Sequence, residues 1–195
     1  GISVVPALAP SAEAAAGIAA LLEFGRYLRK HPPARSVLLL ATSAHFHDTQ
    51  GIAAFLERHV RFYHKLVDRV PEPLPVKLFI SLDLSSRSDR LAIWNATNIP
   101  SLRRFYASFG RRFTTYAQEI APSIGLDPEH ALGNGISPIR GLEWSNFVPE
   151  GMQTDARLTH KAGLVSLVFA TVFDGRFQLD TPLDQPHFVD FENLQ

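Results

Sequence analysis

Two histidines and an aspartate sit almost together in the segment His45-Phe46-His47-Asp48. Imidazole nitrogens and carboxylate oxygens are zinc ligands, and in an extended segment residues two apart point the same way. His45 and His47 would then share a side, with Phe46 opposite. A second carboxylate, Asp83, stands near the end of the apolar run VKLFISLDL. Together these residues could form a mononuclear metal site, although zinc usually takes three protein ligands and an H-x-H pair is a weak signal. Each has a plainer reading beside this one. Asp48 is placed to cap the following helix, and Asp83 to make hydrogen bonds at a strand end.

The elements that must position these groups can be read from hydrophobic periodicity. The stretch from Ser36 to Ala41 is short and apolar, as a buried strand is, and the HFHD turn follows it. A helix with a 3.6-residue apolar period is expected from about Thr49 to Val70. In an open α/β sheet, ligands bind where the carboxyl end of a strand hands over to a helix. The HFHD turn has that position. Upstream, two prolines delay helix formation until Ser11, and a helix is expected from there to about Lys30, where His31-Pro32-Pro33 stops it. Downstream, Val76–Leu84 and Leu91–Asn95 read as strands, separated by the polar SSRSDR in a way that suggests a hairpin. A helix from Ser101 to about Ile120 follows, with Phe105, Tyr106, Phe109, Phe113, Tyr116 and Ile120 as its inner side. Residues 121–153 are loop-rich, with an aromatic patch at Trp144 and Phe147. Leu164–Thr171 is a further buried strand, and Val189–Leu194 looks like the start of a helix.

Alternating helices and short apolar strands indicate one α/β domain spanning residues 1–195, with a mostly parallel sheet and helices on both faces. Composition agrees. Of 195 residues, 46% are hydrophobic and 19% charged, which suits a sizeable core. Nineteen basic and nineteen acidic side chains cancel, so there is no nucleic-acid footprint. The absence of cysteine excludes disulfides and thiolate metal sites. No apolar run approaches the roughly 20 residues of a membrane span.

Five segments, in order, resemble the di-zinc aminopeptidase family of metallopeptidases, which includes bacterial leucyl aminopeptidases and the transferrin-receptor ectodomain. APSAEAAAGIAALLE, Ala9 to Glu23, stands where the family has PGADDNASGVAALLE. The stretch His31 to Glu57 is laid out like the family's linker, strand and GEEQGLLGSRAFLE-like turn and helix. ISLDL, Ile80 to Leu84, matches INLDM. Thr154-Asp155-Ala156 and the following Lys161 to Leu167 match SDHxxFLEAGIPAL. The closing run Leu179 to Leu194, LDTPLDQPHFVDFENL, matches YHTPxDTPDKVDxENL and is the most specific of the five. The match covers nearly the whole chain. It implies a three-layer α/β/α zinc-exopeptidase-like fold, here lacking its first strands. Gly1 in place of an initiator methionine suits a fragment of a longer chain.

The family holds two zinc ions and uses a glutamate as general base. The resemblance places Glu13, Asp83 and Asp180 at ancestral ligand positions, and His45 at the general-base position. The adjacent ligand glutamate is replaced by Phe46, which cannot bind metal. The histidine of SDH becomes Ala156, and the closing ligand histidine becomes Asp180. Read as ordinary residues, Glu13 is a carboxylate favoured in a first helical turn, and Asp180 before Thr-Pro is a turn residue. The resemblance therefore implies a degenerate, catalytically inactive peptidase-like domain without cofactor. It would serve binding or structure through a protein or peptide partner, on the extracytoplasmic side, as a domain that could be the soluble part of a membrane protein. The alternative is an active metallopeptidase or amidohydrolase with zinc in a rearranged site around His45, Asp83 and Asp180, with His47 or Glu13 as further candidates. A third reading, a small-molecule-binding domain that keeps the old cleft, would have the Trp144 and Phe147 loop line the pocket. A sheet without its first strands would also expose an edge, through which two copies could associate.

Overall fold

The computed structural model describes residues 15–43, 49–60, 73–95, 100–136, 154–173 and 185–194. Four helices and four strands lie within them: α1 (Ala15–Lys30), α2 (Gln50–His59), β1 (Leu78–Asp83), β2 (Leu91–Trp94), α3 (Pro100–Ile120), β3 (Gly133–Asn134), α4 (Asp155–Lys161) and β4 (Val165–Thr171). Short 3₁₀ turns follow α3 and punctuate the tail at Pro186–Phe188 and Glu192–Leu194, where a regular helix was expected. The chain belongs to the α/β class.

The sheet is mixed, in the order β1-β4-β2-β3. β1 runs parallel to β4 over six paired residues, from Leu78↔Val165 to Asp83↔Ala170. β2 runs antiparallel to β4, from Leu91↔Thr171 to Trp94↔Val168. β3 adds two residues parallel to β2. The expected hairpin between β1 and β2 is therefore absent, because β4 lies between them. Seven residues of intervening loop are instead tied to the end of β4. Ser85 N–H donates to Thr171 Oγ1 at 2.9 Å, Ser88 Oγ donates to the Val172 carbonyl at 2.5 Å, and Val172 N–H donates to the Arg90 carbonyl at 3.0 Å.

β4 is the centre of the packing because its sequence, VSLVFAT, offers buried side chains on both faces. Leu167 points into a cluster with Ile93, Tyr106 and Leu132, against which Val165, Phe169, Phe109 and Phe113 of β4 and α3 also lie. Val168 and Ala170, one residue out of phase, meet Ala156 of α4 and Trp94. On that same side Thr159 and Ser166 join their hydroxyls at 2.7 Å across the α4–β4 connection. The Tyr106 hydroxyl accepts the Ser166 backbone N–H at 3.3 Å and lies 3.3 Å from His160 Nδ1. A main-chain donor beyond the end of β2 is thus satisfied by a side chain from α3.

The aromatic side of α3 divides unequally. Tyr106 is buried and Phe109 and Phe113 pack inward, but Phe105, Tyr116 and Ile120 are exposed. The apolar stripe is longer than the sheet beneath it, since α3 continues past β2 and β3 into the 3₁₀ turn.

α2 buries Ile52 and Leu56, with Val60 just beyond it, against Phe79, Leu158, Leu164 and Leu40. It starts abruptly. Thr49 is left-handed (φ 55°, ψ 35°), and α2 passes so close to the preceding segment that a Cβ on Gly51 would stand 2.2 Å from the Ser43 carbonyl oxygen. Only glycine permits that approach. The segment Ser36–Ala41, expected as a strand, joins no ladder among the described residues, and Val37, Leu38 and Leu39 are exposed. Its residues have the composition of a strand, but no neighbouring strand among the described residues supplies the pairing that would make it one.

Candidate functional site at the carboxyl ends of the sheet

Asp83 closes β1, paired in register with Ala170 of β4, and is half-buried. The start of α1 comes near this end of the sheet: a Cβ on Gly17 would lie 4.0 Å from the Leu82 carbonyl oxygen. α4 lies across the face of β4 with its first turn at the same end, since Ala156 packs on Val168 and Ala170 while Thr159 reaches back to Ser166. The end of segment 36–43 arrives there too. Thr42 Oγ1 donates to Asp155 Oδ2 at 3.1 Å, across 113 residues of sequence. Asp155 thus has a hydroxyl partner and sits in the first turn of α4, where the helix dipole favours a carboxylate.

The tail is bound beside this end. The Asp190 backbone N–H donates to Ser86 Oγ at 2.9 Å, and Asn193 Nδ2 donates to the Ser86 carbonyl at 2.8 Å. Asp190 Oδ1 accepts from the backbone N–H groups of Glu192 and Asn193. Arg87 lays its guanidinium 5.3 Å from the centre of the Phe188 ring. The DFEN sequence therefore clamps the tail to the buried Ser86, three residues beyond Asp83. The sequence reads this stretch as the start of a helix, and nothing local in it points to Ser86.

Of the candidate residues, Asp83 alone falls within the described residues. Glu13, His45, His47 and Asp180 lie outside them, as do Phe46, Asp48, Trp144 and Phe147. Ala156, which stands where the resemblance places a histidine, has no exposed surface and is enclosed by Val168, Ala170 and Trp94. Among the described residues no group of three or more His, Cys, Asp or Glu side chains is gathered closely enough to hold a metal ion.

A second titratable cluster lies away from the strand ends. His130 Nδ1 and Asp127 Oδ2 are 2.7 Å apart, and His130 Nε2 is 3.1 Å from an Arg90 amino group. A guanidinium only donates, so Nε2 is the acceptor and the imidazole proton sits on Nδ1, toward Asp127. The Glu129 backbone N–H and the His130 ring together hold the Asp127 carboxyl below the usual carboxylate range. These side chains are exposed. They brace the 127–130 turn rather than line a cleft.

No family model, no curated protein and no solved structure matches this chain. Among the described residues no helix is long and apolar enough to cross a membrane.

Proposed function

We propose that the chain is a peptidase-like domain of the di-zinc aminopeptidase type whose metal site has degenerated, serving as a binding or structural module. One observation carries the reading: the position of the family's SDH histidine is a fully buried alanine packed on Val168, Ala170 and Trp94. A residue at such a point is part of the core and offers no side chain to a site beside it. Three further features fit. Asp83 ends the parallel strand β1 beside β4, a strand-end place that suits a ligand position. Helix α3 covers one face of β4 while α4 covers the other, which suits a three-layer arrangement. The DFEN tail is bound to Ser86 in the loop after Asp83, a proximity that fits a closing motif next to the site.

An inactive domain of this kind would act through a protein or peptide partner. An extracytoplasmic setting, with attachment to a membrane protein, follows from the resemblance. The test is direct. Purified protein, dialysed against zinc and measured by plasma emission spectrometry, is expected to hold no stoichiometric zinc, and aminoacyl chromogenic substrates should stay intact. One tightly held zinc per chain, or metal-dependent hydrolysis abolished by Asp83→Ala, would favour a rearranged active site instead.

A further inference from the structure

β1 is the outermost strand of the sheet among the described residues, and no main-chain hydrogen bond there joins it to segment 36–41. Its two faces differ. Phe79 packs under α2, and Ser81, one strand step on, is buried on the same side. Leu78 and Ile80 point to the other side and are 38% and 40% exposed. The α3 cluster on that side reaches β4 and β2 but includes no residue of β1. From Leu78 to Leu82 the strand carries no charge, proline or glycine, the devices that usually keep an edge from pairing.

The sequence around this edge is self-complementary. In Lys77-Leu-Phe-Ile-Ser-Leu-Asp83, Ile80 is the midpoint. We propose that β1 pairs antiparallel with β1 of a second copy about a two-fold axis at Ile80. Residues opposite one another then share a face. Lys77 of each copy meets Asp83 of the other, Leu78 meets Leu82, and Ile80 meets its own counterpart. The one edge lysine thus faces a carboxylate instead of its own like charge, twice by symmetry. Leu78, Ile80 and Leu82 become a continuous apolar ribbon across the joint. Opposed side chains in such a ladder stand about 5 Å apart, close enough for each pair to add stability. A shift of register by two residues would keep the leucines on the same face but lose both charge pairs. The charges therefore select this alignment. The proposal concerns a surface and is independent of whether the strand ends once held zinc.

Sedimentation velocity of the full chain over a concentration series tests it. The expected result is a reversible dimer. Ile80→Lys, which places two ammonium groups across the axis, should give a monomer with an unchanged circular dichroism spectrum. Lys77→Glu and Asp83→Lys should each weaken the dimer by about tenfold, because each turns two attractive pairs into repulsive ones. The double variant K77E/D83K should recover the dissociation constant to within about twofold, since the pairs are restored with their signs exchanged. A wild-type chain that stays monomeric throughout would overturn the proposal, because something other than a second copy would then cover the edge. So would a dimer that tolerates Ile80→Lys, or a double swap that fails to recover. If Ile80→Lys does not fold, the charge-swap set decides alone.

Discussion

Ala156 has the size its surroundings allow. It has no exposed surface, and Val168, Ala170 and Trp94 close around it. Ala156→His, which puts in the residue that the resembling motif carries here, would force a ring into that space and bury its polar nitrogens. Overpacking of this kind costs about 1–3 kcal/mol, and urea denaturation should show a loss of that order with no gain of zinc. Asp127 offers a test of electrostatics at the same scale. Its carboxylate is stabilised by the Glu129 N–H and by His130. Because its folded-state value is depressed, its contribution to stability is present above the ordinary carboxylate range and is lost as pH falls through the depressed value. Carbon-detected NMR titration should place Asp127 below an exposed aspartate, and His130→Ala should move it back upward.

Among the elements, α2 is defined by closeness. The contact between Gly51 and the Ser43 main chain sets how far the helix can descend onto Phe79 and Leu158. A methyl group there has a backbone oxygen 2.2 Å away and no flexible neighbour to displace. Gly51→Ala should therefore cost about 1–3 kcal/mol, although alanine is the better helix former. Hydrogen exchange should locate the loosening in α2 before the rest of the molecule. What could be read from sequence at this scale depended on whether the cause was local. β4 was legible because VSLVFAT is apolar on both faces, a property of the residues themselves. α3 was legible from its period, but not how far its aromatic side is covered, since Tyr116 and Ile120 extend beyond the sheet. The run at 37–40 looks as strand-like as β4, and only its lack of a partner among the described residues separates them. β3, a Gly-Asn pair, has no pattern to read.

For the molecule as a whole, the α/β class followed from the alternation of elements, whereas the connection of β1 to β2 did not. Adjacent strands in sequence usually pair, and SSRSDR looks like a turn. The preference is overridden because β4 buries both faces, and a strand of that character belongs inside a sheet. The candidate site was legible in part. Asp83 lies at a strand end as expected, yet the Thr42–Asp155 contact and the grip of Asp190 and Asn193 on Ser86 join residues about a hundred positions apart. No local pattern encodes such distances.

The place of β4 also governs when the sheet can exist. Among the described residues it is the last strand along the chain, yet it lies between β1 and β2. β1 and β2 do not pair with each other, so β1 must wait for residues 165–171, and until then β2 has only the two-residue β3 beside it. During synthesis, more than eighty residues emerge between the start of β1 and the start of β4. Over that interval the apolar β1 has no partner within this sheet, and β2 has only Gly133–Asn134. Assembly of this kind closes long loops before it gains contacts, which makes folding slow and the nascent chain prone to association. The arrangement that gives the mature core its central strand therefore makes the unfinished chain a natural client for chaperones.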